Sequence, residues 1–186
     1  IKYGLEKVTV SKLTEEANIN RGTFYLHYKG IHDLVEKSEA EIIEQILSLR
    51  NRAIVEHQQA RKKEPSKKII YRFAVELCNY FKENCAFLNA MLGPNGDPSF
   101  QEKLKSVLEQ QLLRGTYNYI KIGENTIIPN DYLIAYLSSA HIGIIQHWLK
   151  NGADMPAEEI AKMITELSFN GPIQLSHITP FFHDEK

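Results

Sequence analysis

The chain has 186 residues, of which 43% are hydrophobic and 24% charged, a composition that suits a globular protein able to bury one or two cores. No apolar run reaches the roughly 18 residues needed to span a bilayer, and Ile1-Lys2-Tyr3-Gly4 lacks the organisation of a secretory leader. The net charge of −1 argues against a general polyanion binder, but residues 1–72 carry 14 Lys and Arg against 10 Asp and Glu, whereas residues 73–186 carry 8 against 13.

Taken in chain order, the punctuation predicts helix almost throughout. The opening at Ile1, without an initiator methionine, is abrupt and helix-like, and predicts that N-terminal residues are missing. Thr9 can cap a short helix running to about Ala17, and Asn20 a second from Arg21 to about Tyr28. A long helix is expected from Ile31 to about His57, with Ile31, Leu34, Val35, Ile42, Ile46 and Leu49 at helical spacing. Arg61-Lys62-Lys63-Glu64 reads as a polar connector, and Pro65 fits the first turn of a helix reaching Asn84. A shorter helix covers Ala86 to Leu92 before the break at Gly93-Pro94-Asn95-Gly96. Asp97-Pro98 then caps and opens a helix to about Ile122, and Pro129 opens another through Trp148. A last helix follows Pro156 and stops at Gly171-Pro172, leaving an irregular tail. Strand signals are confined to β-branched patches such as Thr126-Ile127-Ile128, so the expected class is all-α.

Cys78 and Cys85 lie seven apart in sequence. On a helix that places them about 10 Å apart, too far for a disulfide, and with no CxxC the expected compartment is the reducing cytoplasm.

The first two short helices have the parts of a helix-turn-helix, in which the second helix enters a major groove. Leu13, Ala17, Ile19 and Phe24 are the expected inter-helix core, and Asn18 can take the left-handed backbone of a tight turn. Arg21 can pair with guanine or phosphate, and Leu26 or the Thr23 methyl can meet a thymine methyl. Thr23, Tyr25 and His27 offer polar groups to phosphate oxygens, while Gly22 lets backbone and DNA approach. The candidate DNA-facing set is Thr9, Ser11, Lys12, Asn20, Arg21, Gly22, Thr23, Tyr25, Leu26, His27 and Lys29. A basic front and an acidic rear fit a DNA-facing head on a body that avoids DNA.

The run Val8–Lys29 followed by Asp33-Leu34, with Gly22, Thr23, Phe24, Tyr25, His27 and Tyr28 in the second helix, resembles the N-terminal domain of the TetR family. The resemblance implies an N-terminal three-helix head, with a first helix mostly missing here, and a helical ligand-binding and dimerisation body. It implies that Thr9, Thr23, Tyr25 and His27 meet the DNA backbone and that Arg21 and Leu26 lie near bases. The head is expected over 1–37, overlapping the start of the long helix, and the body over 38–186. One position departs from the pattern: Ile31 stands where the family usually has a phosphate-binding Lys, which leaves Lys29 or His32 to supply that charge.

In a TetR-like dimer the last two long helices of each subunit form a four-helix bundle, and Asn130–Lys150 and Pro156–Asn170 match them. Independently, the first of these is apolar nearly all round, so it must be buried on more than one side. The expected homodimer interface is Leu133, Leu137, Ala140, Ile144, Trp148, Ile160, Met163, Ile164 and Leu167. Phe73, Phe87, Tyr117, Tyr136 and His141 are candidates for a pocket taking a small apolar or aromatic effector. Leu92–Phe100, Asp131–Tyr136, Ser139-Ala140-His141 and Trp148-Leu149 resemble a subgroup that includes regulators beside dihydroxyacetone kinase genes.

His141 and His147 do not share a helical face, and no HExxH accompanies them, so no metal is expected. GxSxG, P-loop and GxGxxG patterns are absent, so neither catalytic residues nor a cofactor is expected. The leading expectation is a ligand-responsive repressor on a palindromic double-stranded operator. The alternatives are the same head on a body that binds a protein partner, and a helical enzyme or carrier with a vestigial head.

Overall fold

The computed structural model describes residues 7–59, 66–119 and 128–171, with side chains at 56–59, 66 and 111–119 left undescribed. Among the described residues there are eight helices and no strand. They are α1 (Val10–Glu16), α2 (Arg21–His27), α3 (Ile31–Gln59), α4 (Ser66–Glu83), α5 (Cys85–Leu92), α6 (Pro98–Tyr119), α7 (Asn130–Lys150) and α8 (Ala157–Asn170). The expected start and tail, Ile1 to Glu6 and Pro172 to Lys186, lie outside the described residues, as does the connector at 61–64.

The caps lie where the sequence puts them. Thr9 Oγ1 accepts from Lys12 N at 3.3 Å, Asn20 Oδ1 from Gly22 N at 2.7 Å, and Asp97 Oδ1 from Ser99 N at 2.7 Å. The expected boundary after residue 37 falls inside α3, so α1 and α2 join the body through an uninterrupted helix.

The core lies in the body, where α4 packs along α8, α6 on α7, α5 on both α6 and α7, and α3 on α4 and α6. Ile42, Ile46 and Leu49 from α3 meet Leu77, Cys78 and Phe81 from α4 and Phe100, Leu104 and Leu108 from α6. Trp148 and Leu149 of α7, with Ile160 and Ile164 of α8, complete it. Each such side chain contributes roughly 1.5–3 kcal/mol by leaving water. Both cysteines are free; burial pushes the Cys78 thiol up to about 12, consistent with a core residue.

The end of α7 stops hard. Gly152 (φ 76°) and Ala153 (φ 53°) are both left-handed, and Ala153 N bonds back to Trp148 O at 3.0 Å. The indole Nε1 of Trp148 in turn donates to Met155 O at 3.0 Å. Asn151-Gly152 was legible as a break; a left-handed alanine, a strained choice for a residue with a Cβ, was not.

Candidate nucleic-acid interface

Two short helices and the turn between them present the candidate reading surface. Asn18 adopts φ 52°, the left-handed turn conformation that the sequence suggested, and Ile19 N then bonds to Thr14 O at 3.0 Å. The small core differs from the expectation. Phe24 is 2% exposed, but Ile19 is 43% exposed and Ala17 is exposed as well. Thr14 is buried instead, its hydroxyl satisfied by Val10 O at 2.9 Å and Ser11 O at 3.1 Å. A threonine that returns its hydroxyl to its own helix presents a methyl, which is why polarity alone concealed it.

Phe24 anchors α2. Its ring meets Tyr25 edge-on at 5.4 Å and Tyr28 at 5.5 Å between centroids. Lys37 Nζ sits 5.3 Å from the Tyr28 ring centre, donates to His27 O at 2.9 Å, and pairs with Asp33 at 3.1 Å. Sequence reading missed this lysine, although Asp33 and Lys37 have the i, i+4 spacing of a helix pair.

With Phe24 inward, α2 exposes Arg21, Gly22, Thr23, Tyr25, Leu26 and His27 together. Leu26 is 81% exposed and Tyr25 57%. Thr9, Lys12, Asn20 and Lys29 are exposed too, while Ser11 is half-buried. Arg21 Nη2 donates to Ser11 Oγ in a very short contact, so the guanidinium is held across the face between α1 and α2. A Cβ on Gly22 would lie 3.3 Å from the capping Asn20 Oδ1, which accounts for a small residue there.

The start of α3 holds an unexpected group. Asp33 Oδ2 accepts from Lys29 N at 2.8 Å, and that bond, followed by the Lys37 ammonium, keeps its carboxyl below the usual range. The chain's own carboxylate therefore takes the Lys29 amide, and the exposed side chains of Lys29 and His32 both remain beside the half-buried Ile31.

The family models match on both parts of the chain. Bacterial regulatory proteins of the tetR family match residues 1–37, and the transcriptional regulator C-terminal region (TetR_C_8) matches residues 68–170. The chain belongs to the TetR family of transcriptional regulators. No curated protein matches it. The fold is shared with solved TetR-family regulators of low identity. The fatty acid degradation regulator FadR from Bacillus halodurans aligns with TM-score 0.61 and 13% identity over 91% of this chain and 88% of its own. FadR from Bacillus subtilis, in complex with stearoyl-CoA, aligns with TM-score 0.59 and 16% identity over 92% of each chain. The repressor FadR from Thermus thermophilus, in complex with lauroyl-CoA, gives 0.53 and 14% over 89% and 85%. No described helix of this TetR-family chain is long and apolar enough to cross a membrane.

In the body, the structure redistributes the expected pocket and interface residues. Phe73 is half-buried against the core, and Phe87 stacks edge-on with Phe100 at 6.3 Å. His141 bonds Ser168 at 2.9 Å, whereas Tyr136 is 51% exposed on the outside of α7, and the Tyr117 side chain lies outside the described residues. Phe73 and Phe87 thus pack on the common core, whereas Tyr136 is a surface residue. Among the expected interface residues, Trp148, Ile160 and Ile164 are 2%, 3% and 8% exposed in the protomer's own core, so they offer nothing to a partner. Leu133, Leu137, Ala140, Ile144 and Leu167 are half-buried, and Met163 is 40% exposed. The open side of α7 carries Tyr132, Tyr136, Ser139 and Gly143, a stripe at helical spacing in which Ser139 and Gly143 are small enough for close helix approach.

Ser168 Oγ donates its proton to Ile164 O at 2.7 Å, so it accepts from His141 Nε2–H, which fixes the neutral tautomer. Burial pushes His141 down from 6.5 to about 4. As pH falls, the unfolded chain takes up this proton first. The contribution is therefore fully present above about pH 6.5 and is lost toward pH 4, on the order of 3 kcal/mol. Urea midpoints measured between pH 7 and 4 should fall more steeply for the native chain than for His141→Gln.

Proposed function

We propose that this regulator is a ligand-responsive repressor that binds a palindromic operator as a homodimer, reading bases with α2. The observation that carries the reading is the exposure of Tyr25 and Leu26 on a helix whose one buried side chain is Phe24. Exposing a leucine and a tyrosine side by side in water forgoes burial energy that a thymine methyl and a phosphate would restore. Arg21, already held by Ser11, loses little further side-chain freedom on meeting a guanine or a phosphate. The α7 stripe of Tyr132, Tyr136, Ser139 and Gly143, with Met163 of α8, supports a two-fold dimer through these helices, and two heads would then meet two half-sites. The stearoyl-CoA and lauroyl-CoA complexes of the FadR structures support an effector that brings a long hydrocarbon chain to the body. We place the body with the subgroup that includes dihydroxyacetone kinase operon regulators, on the turn at 92–100; this names no target gene.

Selection of bound sequences from a random duplex pool should return an inverted repeat. On that site Tyr25→Phe and Thr23→Ala should each weaken binding about tenfold by removing a phosphate contact. Arg21→Ala should lose about 1–3 kcal/mol of discrimination at one position of each half-site. A pool that yields no enriched site, or three variants with native affinity and preference, would overturn the assignment.

A further inference from the structure

Between α3 and α6 lies a groove of about 380 Å³ whose chemistry neither the DNA reading nor the expected effector pocket uses. One wall is a single face of α3. Ala40, Ile43 and Leu47 form its apolar part, and Glu36, Glu39 and Glu44 its acidic part, with Lys103 opposite on α6. Glu39 is the unusual member, being only 4% exposed. Its Oε2 accepts from Lys103 Nζ at 3.0 Å, but its Oε1 is buried with no hydrogen-bond partner. A buried carboxylate oxygen left unmatched is costly, and native structures seldom keep one without a reason. Glu39 is itself one of the residues lining the groove, so its unmatched carboxylate oxygen belongs to this wall.

Three carboxylates against one ammonium leave the groove acidic and repel an anionic ligand. Among the described residues no three His, Cys, Asp or Glu side chains are gathered to hold a metal ion. The unmet demand is thus for a positively charged N–H donor, and the apolar wall beside it suits a short hydrocarbon stem. We propose that this groove binds a primary alkylammonium compound, the ammonium donating to Glu39 Oε1 and the alkyl chain lying on Ala40, Ile43 and Leu47. Glu36 and Glu44 raise the local cation concentration at the mouth. The assignment rests on α3 and α6 alone, so it stands or falls separately from operator binding.

The test is an amide NMR titration of the full chain with n-hexylammonium chloride, with hexan-1-ol, sodium hexanoate and magnesium chloride as parallel probes. Hexylammonium should give saturable shifts centred on Ala40, Ile43 and Leu47. Hexanol and hexanoate should bind at least about tenfold more weakly, as should hexylammonium to Glu39→Gln. If Glu39→Gln does not fold, the exposed pair Glu36→Gln with Glu44→Gln should still weaken the amine severalfold while leaving hexanol unchanged. Equal binding of hexanol would make this an apolar groove only, and equal shifts from magnesium an acidic surface only. Either result, or hexylammonium shifts centred elsewhere, overturns the proposal.

Discussion

Phe24→Ala should abolish operator binding while leaving the body folded. Phe24 is the single buried side chain of α2 and the ring against which Tyr25 and Tyr28 rest. Truncating a buried phenylalanine costs about 3–5 kcal/mol. That cost falls on two seven-residue helices, which have little other burial with which to absorb it. Local opening is therefore expected to become the dominant state of the head. Hydrogen exchange should show lost protection across α1 and α2, with α4 to α8 unchanged and affinity for the selected operator reduced to the nonspecific level. Retained protection in α2 would mean that the Lys37 tie and the Asn20 cap hold it without the ring.

The largest effect in the body is expected from Gly96→Ala. A Cβ there would lie 2.0 Å from Met91 O and 2.4 Å from Met91 C, overlaps with backbone that no side-chain rotation relieves. The turn cannot simply swing away. Gly96 N bonds Gly93 O at 2.9 Å, Asp97 N bonds Met91 O at 3.0 Å, and Leu92 O accepts from Gln101 at 3.3 Å and Gln146 at 3.1 Å. Rebuilding it should cost about 3 kcal/mol, the upper part of the usual overpacking range. In a chain of this size that corresponds to a melting temperature lower by roughly 6–12 °C in a thermal scan. A shift below about 2 °C would show that the turn has a second, equally good conformation.

The helices and their ends were legible because their signals are local. Thr9, Asn20 and Asp97 act on amides two or three residues away, and Asn18 bends its own backbone. Proline and glycine placement did the rest. The outward face of α2 was legible for the same reason, since one buried phenylalanine settles where its neighbours point. What escaped depends on contacts between distant segments. Nothing in the local pattern says that Glu39 will meet Lys103, or that Thr14 will be buried while Ile19 is not. The body shows the limit most clearly. An all-apolar helix announces burial, but whether Trp148 is buried by its own protomer or by a partner is decided by the helices packed on α7, which the pattern around Trp148 does not name.

The tie from Lys37 to His27 O has a mechanical consequence. It fastens the end of the reading helix to the second turn of α3, so that α2 turns with α3 as one piece. Ile42, the first residue of α3 gripped by the core, is about 17 Å along the axis from Ile31. With that as the fulcrum, a tilt of about 7° carries the start of α3, and the reading helix fastened to it, roughly 2 Å sideways. A displacement of that size exceeds the tolerance of a hydrogen bond. Glu39 and Lys103 sit partway along this arm, so a change of spacing there of less than an ångström is multiplied before it reaches Tyr25 and Leu26.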